Sequence, residues 1–166
     1  MRSVVPILGA VLGAAGLMAG GQQPAVRVEP AHLDGPRKLA DQTAQAVVRD
    51  YLQAWQTMRT ALEQNRPEAL GADFVGVAKK KLTGTIRQQA AAGIHTRYVD
   101  QSHDLQIVFY SPDGLSIELT DLVDYEVQIF DHDKLIATRR VRGRYVAVMT
   151  PAQVRWQVRV LQAEDQ

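Results

Sequence analysis

The chain has 166 residues, 46% of them hydrophobic, a length that suits one domain with a short extension rather than two domains. Its formal charge is +1, from 19 basic and 18 acidic side chains, so no whole-molecule field attracts nucleic acid or anionic lipid. It contains no cysteine, which excludes disulfides, a thiol nucleophile and a cysteine-ligated metal.

Residues 1–21 have the layout of a secretory signal peptide. Arg2 precedes an uncharged apolar run from Val4 to Met18, and small residues follow it. The alternatives are an uncleaved membrane anchor, for which the run is short and glycine-rich, and an apolar N-terminal arm. We therefore predict a periplasmic or secreted protein, tethered to a membrane through its N-terminus if the signal is retained.

A flexible linker is predicted for residues 22–36, which contain three prolines and no hydrophobic period. Next comes a domain expected over residues 37–163. Between about Arg37 and Gln64, apolar residues recur at three- and four-residue steps, which is typical of a long helix with one buried stripe.

A short helix is predicted for the segment PEAL, which starts at Pro67 and ends at Gly71. Asp73 suits the N-cap of a further helix that runs to about Ala92. Gly93 then supplies the stop signal for that helix.

After Gly93 the hydrophobic period changes from 3.6 to two, which indicates strands. They are predicted near 94–100, 104–110, 115–130, 135–149 and 153–162, with turns at SHD, SPDG, DHDK and TPA. Helices followed by antiparallel strands predict the α+β fold class, with the helices covering one face of the sheet.

Matching the apolar faces of neighbouring strands predicts their registers. An odd-length loop between the third and fourth strands pairs Asp121 with Gly143 and Asp124 with Arg140. An even-length loop is the alternative, and it would set the arginines of the fourth strand opposite Asp121. A tight turn after the fourth strand pairs Ala147 with Trp156, so that both last strands bury their apolar residues together.

Asp121 is the one polar residue in the odd-numbered row of IELTDLVDYEVQI. A bulge does not explain it, because Ile117 and Leu119 before it and Val123 after it all keep the odd, inward parity. Three interpretations remain: a rim residue that is hydrated or paired with an arginine, a polar group for a ligand, and a catalytic acid with a raised pKa. We favour the rim.

The segments AQAVVRDYLQAW, GADFVGVAKKKLTGTIRQQAAAG and RWQVRVLQA resemble the nuclear transport factor 2-like superfamily. Their order is most similar to the branch found in inner-membrane translocase and plastid-division proteins, with Trp55 followed by Arg59 and with Trp156 between polar residues. The resemblance implies a cystatin-like cone in which the helices cover a curved sheet. This superfamily contains enzymes, binding modules and scaffolds, so the fold alone does not decide the function.

The resemblance further implies a binding cavity between the first helix and the concave sheet. Seven residues are expected to line it: Tyr51, Trp55, Phe74, Asp121, Tyr125, Tyr145 and Trp156. Ketosteroid-isomerase-like members place a strand acid, a helix tyrosine and an aspartate base around such a cavity, roles that Asp121, Tyr51 and Asp73 would fill here.

A non-catalytic exported module that holds a protein partner or a small apolar ligand is therefore the expected function, with no cofactor. The alternatives are a small isomerase-like or cyclase-like enzyme and an envelope-assembly subunit that forms a homodimer through its sheet.

The arginines of the last two strands and the histidines are two further candidate sites. Arg142, Arg144 and Arg159 are predicted to form a partner surface rather than a nucleic-acid site, since acidic residues on the third strand neutralise part of the arginine row. No metal site is expected, because the histidines fall near different turns without HxH or HxxxH spacing. Surface positions are predicted for His95, His103 and His132.

Overall fold

Two helices and a five-stranded sheet form the part of the chain that the computed structural model describes, residues 23–33 and 35–164. The predicted signal segment and its flanking residue, 1–22, lie outside these ranges. No helix within them is long and apolar enough to cross a membrane. The elements in chain order are β1 (Ala25–Val28), α1 (Asp41–Gln64), a 3-10 helix (Pro67–Ala72), α2 (Gly76–Ala91), β2 (Ile94–Tyr110), β3 (Ile117–Asp131), β4 (Lys134–Pro151) and β5 (Trp156–Ala163).

The sheet has the strand order β1-β2-β3-β4-β5, and the helices lie on its concave face, which confirms the α+β class. Helix α1 buries the predicted stripe of apolar residues against the sheet. It ends at Asn65, which adopts a left-handed conformation at φ 54 and donates its N–H to the carbonyl of Ala61. Its start at Asp41 is later than predicted, because Arg37 instead lies over the Tyr110 ring and donates to the carbonyl of Pro112.

The predicted N-cap role of Asp73 is wrong. Helix α2 begins at Gly76 after Val75, with no side-chain cap. Asp73 instead ends the 3-10 helix in the αR region, and Val75 is extended. The backbone here pairs with β5: Val158 N–H donates to the carbonyl of Asp73 at 2.8 Å, and Val75 N–H donates to the carbonyl of Val158 at 3.0 Å. The carboxylate of Asp73 accepts hydrogen bonds from Thr57 at 2.6 Å and from Arg155 at 2.8 Å.

The SHD segment is not a turn, and the two strands predicted around it form one continuous strand, β2. The pairing of β2 with β3 passes from Asp100↔Tyr125 to Ser102↔Asp124, so Gln101 is an extra residue in a bulge. The bulge reverses the parity of β2, because Asp100 faces inward before it and His103 faces inward after it. Two polar residues thereby reach the same concave face.

The predicted register between the third and fourth strands is shifted by two residues. Asp121 lies opposite Tyr145, and Gly143 lies opposite Val123. The hairpin turns through His132 and Asp133, and a bulge at Ile136 then adds one residue to β4. An even-length turn plus one bulge restores the parity, so the apolar faces still match.

The predicted register of the last two strands is wrong by a larger step. Residues 152–155 form a loop, closed by Ala152 N–H donating to the carbonyl of Arg155, so Trp156 lies opposite Pro151 rather than Ala147. Val154, which the register placed inside, has 83% of its surface exposed. Val158 is buried opposite Met149, as an inward residue should be.

The segment predicted as a flexible linker contains β1, which pairs in parallel with β2 from Ala25↔Ser102 to Val28↔Leu105. Arg27 holds this strand with two hydrogen bonds to Asp104, at 3.2 and 2.7 Å. The strand has only four residues, which is too short for an alternation of apolar and polar residues to be recognised in the sequence. This pairing makes β1 an edge strand of the sheet, beside α1.

Candidate functional site

The centre of the cone is filled by the side chains that were expected to line a cavity. Tyr51 is 1% exposed, and Trp55, Phe74 and Tyr125 are also buried. The Trp55 ring lies edge-on to Tyr125 at 6.0 Å and to Tyr145 at 5.1 Å, measured between ring centroids. A water-sized cavity beside these groups would appear as exposed surface on them, so the centre is close-packed.

Asp121 is fully buried, with 0% exposure, so the rim interpretation is wrong. Its Oδ2 accepts a hydrogen bond from the Tyr51 hydroxyl at 2.9 Å and lies 2.7 Å from Nδ1 of His103. Its Oδ1 accepts from the backbone N–H of Asp104 at 3.2 Å. A carboxylate with three polar partners can occupy an apolar row because its hydrogen-bonding capacity is satisfied there.

His103 is also buried, at 2% exposure, so its predicted surface position is wrong. Its ring connects two carboxylates: Nδ1 contacts Asp121, and Nε2 lies 3.7 Å from Oδ2 of Asp100. The same Oδ2 accepts from Arg59 at 2.6 Å. The chain Tyr51, Asp121, His103, Asp100 and Arg59 therefore crosses from the core to the surface of α1, and we call it the buried polar chain.

The charges of the buried polar chain support one another. Burial alone would lower the pKa of His103, but the nearby carboxyl groups of Asp100 and Asp121 outweigh it and raise that pKa to about 9. For Asp100, burial alone would raise the pKa, but the neighbouring His103 and Arg59 hold it below its usual value. Burial and the charge of Asp121 raise the pKa of Tyr51 well above its usual range.

At neutral pH the His103 imidazole thus carries a proton, the Asp100 carboxyl is ionised and the Tyr51 phenol is neutral. Sequence reasoning identified Asp121 and Tyr51 but missed Asp100 and His103, because SHD is typical of a turn. The alternation of buried residues on both sides of Gln101 could have indicated a bulge. Three buried polar atoms have no hydrogen-bond partner within the described ranges: Trp55 Nε1, Arg59 Nε and Asp100 Oδ1.

The remaining predicted site residues lie elsewhere. Asp73 is bonded to Thr57 and Arg155, and Trp156 is half-buried, with its backbone N–H on Asp50 at 2.8 Å. Phe74 belongs to the core beside β5, where it forms a bridge with Val158. Within residues 23–33 and 35–164, no group of three or more metal-ligating side chains is arranged around a common centre.

The arginines of the predicted partner surface are dispersed. Arg144 forms an ion pair with Glu164, with 2.9 Å between Nε and Oε2. Arg159 instead lies over Gly76 at the start of α2. Asp124 faces Arg142 and accepts two hydrogen bonds from Arg140, at 3.1 and 2.9 Å, so the neutralising ion pair forms despite the shifted register.

Several clefts open along α1, and two of them adjoin β1. One of about 260 Å³ lies over the outer end of the buried polar chain, where Trp55, Arg59, Asp100 and His103 meet Val26 of β1. The other, of about 490 Å³, is an apolar groove between α1 and β1. Its walls are Val28, Ala31, Ala44, Val48, Leu52 and Ile107, and its polar lining residues are Glu29, Gln45 and Arg49.

These features define a protein with the nuclear transport factor 2-like, or cystatin-like, α+β fold, and solved structures confirm it. One similar structure is the intermembrane-space region of the chloroplast protein ARC6, a plastid-division protein. Its TM-score is 0.61 at 15% identity, over 78% of this chain and 100% of that one. A candidate scytalone dehydratase from Novosphingobium aromaticivorans has a TM-score of 0.53 and 15% identity, over 76% and 89% of the two chains.

The protein Aln2 from a Streptomyces species is similar with a TM-score of 0.51 and 11% identity, over 77% of this chain and 94% of that one. Neither a protein family model nor a curated protein sequence matches the chain. Identities this low establish the fold alone, and proteins of this fold include both enzymes and domains without catalytic activity.

Proposed function

We propose that the chain is an exported, non-catalytic binding module that holds an apolar segment of a protein partner or a small apolar ligand beside the cone. The observation that supports this most directly is the contrast between the packed centre of the cone and the open apolar groove next to it. A ligand in the centre would have to displace Trp55 and Tyr51, whereas a ligand in the groove displaces only water.

The groove has the size and lining of a ligand site. Its volume of about 490 Å³ falls within the range of small-molecule pockets, and its walls are almost wholly aliphatic. Val28, at 51% exposure, is among the apolar residues left uncovered there. Burying such surface against an apolar partner stabilises the complex by about 25 cal/mol per Å² before the costs of association. Arg49 and Glu29 at its rim can orient a polar end.

A lysine in the groove wall should weaken this binding. We expect Val48→Lys to weaken the binding of the uncharged dye Nile red by roughly tenfold or more, because an apolar ligand would then bury an unpaired ammonium. The measurement is a fluorescence titration of wild type and variant. Val77→Lys is the matched control, since Val77 is an exposed valine on α2, away from the groove. Equal dye affinities for wild type and Val48→Lys would refute the groove as the binding site.

An isomerase-like or cyclase-like enzyme is the second candidate, supported by the buried polar chain under the 260 Å³ cleft. His103, with its pKa raised to about 9, carries a proton at neutral pH and can act as an acid. Asp100, whose pKa is lowered, can accept one nearby. Asp121 and Tyr51 would then be positioning residues that fix the imidazole ring.

Asp121→Asn separates the two candidates. In an enzyme, turnover of a small cyclic ketone should fall by about 10²-fold or more, because the charge that keeps His103 protonated is lost. In a binding module, the same variant should keep the dye affinity of the groove. The assay requires a variant that is folded, which circular dichroism verifies. Detectable wild-type turnover that Asp121→Asn leaves unchanged would eliminate the buried polar chain as a catalytic device.

A further inference from the structure

We propose that the outer edge of β4, from Lys134 to Gly143, binds an extended acidic segment of a protein partner as an added strand. This surface lies at the opposite side of the sheet from the groove, and the proposal does not depend on the function proposed above. It rests on the backbone geometry of β4, on the exposure of its first half and on its charge.

The first half of β4 extends past the end of β5. The ladder between the two strands begins at Tyr145↔Ala163, and Glu164 N–H donates to the carbonyl of Arg144 at 2.8 Å. Backbone groups of alternate residues point to the same side of a strand, so those of Thr138 and Arg140 point where the carbonyl of Arg144 points, away from β3. No strand of residues 23–33 or 35–164 pairs with that side of Thr138 and Arg140.

Both faces of this edge are open. Every residue from Asp131 to Arg140 is exposed, in contrast to the buried alternation of β4 after Tyr145. Leu135 and Ile136 are exposed apolar residues at the hairpin end. An added strand would therefore find space for its side chains on both faces, over the five or six residues that are typical of a strand.

The charge of the edge decides which strand can join it. Between residues 134 and 144 there are five cationic residues and no acidic one: Lys134, Arg139, Arg140, Arg142 and Arg144. Side chains of an added strand lie about 5 Å from their cross-strand neighbours, so carboxylates on the partner would meet arginines. Arg139 lies on the concave side, opposite the apolar Val127, so an acidic residue of the partner is favoured most strongly there. On the convex side Arg140 is already bonded to Asp124, and a carboxylate of the partner would share it.

Two other occupants fit the edge less well. A second copy that paired through its own β4 would set arginine against arginine, and charged edges are a known protection against self-association. A nucleic acid lacks the backbone donors and acceptors that match Thr138 and Arg140, so it could use only the charges of the edge.

The test uses the full chain and a fluorescein-labelled octapeptide of the sequence VEEVEEVT, which as a strand carries glutamates on both of its faces. We expect saturable binding in fluorescence anisotropy, with slowed amide hydrogen exchange at Thr138 and Arg140. Thr138→Pro should weaken the peptide at least about tenfold, because it removes an outward N–H without touching the ladder to β3. Arg139→Glu should weaken it by a similar factor and serves as the second variant if Thr138→Pro does not fold.

Arg87→Glu, an exposed arginine on α2, is the matched control and should leave the affinity unchanged. The acidic peptide with N-methyl groups on alternate amides should bind at least about tenfold more weakly, since it keeps the charge but cannot pair. The proposal is overturned by an absence of saturable binding, by equal affinity for the N-methylated peptide, or by tighter binding of a ten-nucleotide thymidine oligomer. A dimer in sedimentation that Thr138→Pro dissociates would assign the edge to a second copy and would also overturn it.

Discussion

Replacing Asp121 by alanine is expected to lower the free energy of unfolding by about 3–5 kcal/mol. The substitution removes the carboxylate that Tyr51, His103 and the backbone N–H of Asp104 all contact, and it leaves a protonated imidazole buried beside an unpaired hydroxyl. Breaking one partner of a buried ion pair is costly because the other charge stays uncompensated. Urea unfolding at pH 6.5, followed by tryptophan fluorescence, measures the change.

Asp124→Ala is the matched control, three positions further along the same strand. Its carboxylate pairs with Arg140 on the convex face, where the guanidinium is mostly exposed, so its loss should cost less than about 1 kcal/mol. A double variant, Asp121→Leu with His103→Leu, distinguishes the cause. It should recover much of the lost stability, since it removes both charges. If the double variant is as unstable as Asp121→Ala, the loss comes from packing and not from the buried charge.

The period of the apolar residues predicted correctly that helices cover a sheet. It could not predict the β-bulges, each of which adds one residue to a strand. Apolar residues alternate with polar ones along the long strands, and α1 has a wide apolar stripe. These local patterns were sufficient to predict the α+β class. A bulge is invisible to such a pattern when polar residues surround it. Gln101, between Asp100 and Ser102, is an extra residue of this kind, and it hid the continuity of β2. Ile136 lies between apolar residues, where the pattern does not reveal an insertion either, and it changes the pairing predicted between the third and fourth strands.

The candidate site was predictable only in part for the same reason. Asp121 stands out because its neighbours in the strand are apolar, and Tyr51 follows from the helix stripe. His103 lies in a segment whose composition is typical of a turn, and its inward direction depends on the Gln101 bulge. Its partnership with Asp121 joins residues that are 18 positions apart, and only the pairing of β2 with β3 brings them together.

His103 should make the stability depend on pH. Its pKa in the folded protein is about 9, above the ordinary value of 6.5, because Asp121 and Asp100 hold its proton against the effect of burial. A raised folded pKa contributes stability that is complete below about pH 6.5 and is lost as the pH rises through about 9. The difference between these pKa values corresponds to about 3 kcal/mol as an upper bound.

Urea unfolding between pH 6 and about 9.5 tests this dependence. This pH range avoids the titration of Tyr51, whose pKa is raised well above 10, and of Tyr98, whose pKa is raised to about 12. The wild-type free energy of unfolding should fall by about 2–3 kcal/mol across the window. His103→Gln should be less stable at pH 6 and nearly flat, because glutamine carries no titrating proton. His132→Gln, which changes an exposed histidine, should keep the wild-type slope. A wild-type curve as flat as that of His103→Gln would mean that the imidazole is neutral in the fold, and the raised pKa of His103 would then be wrong.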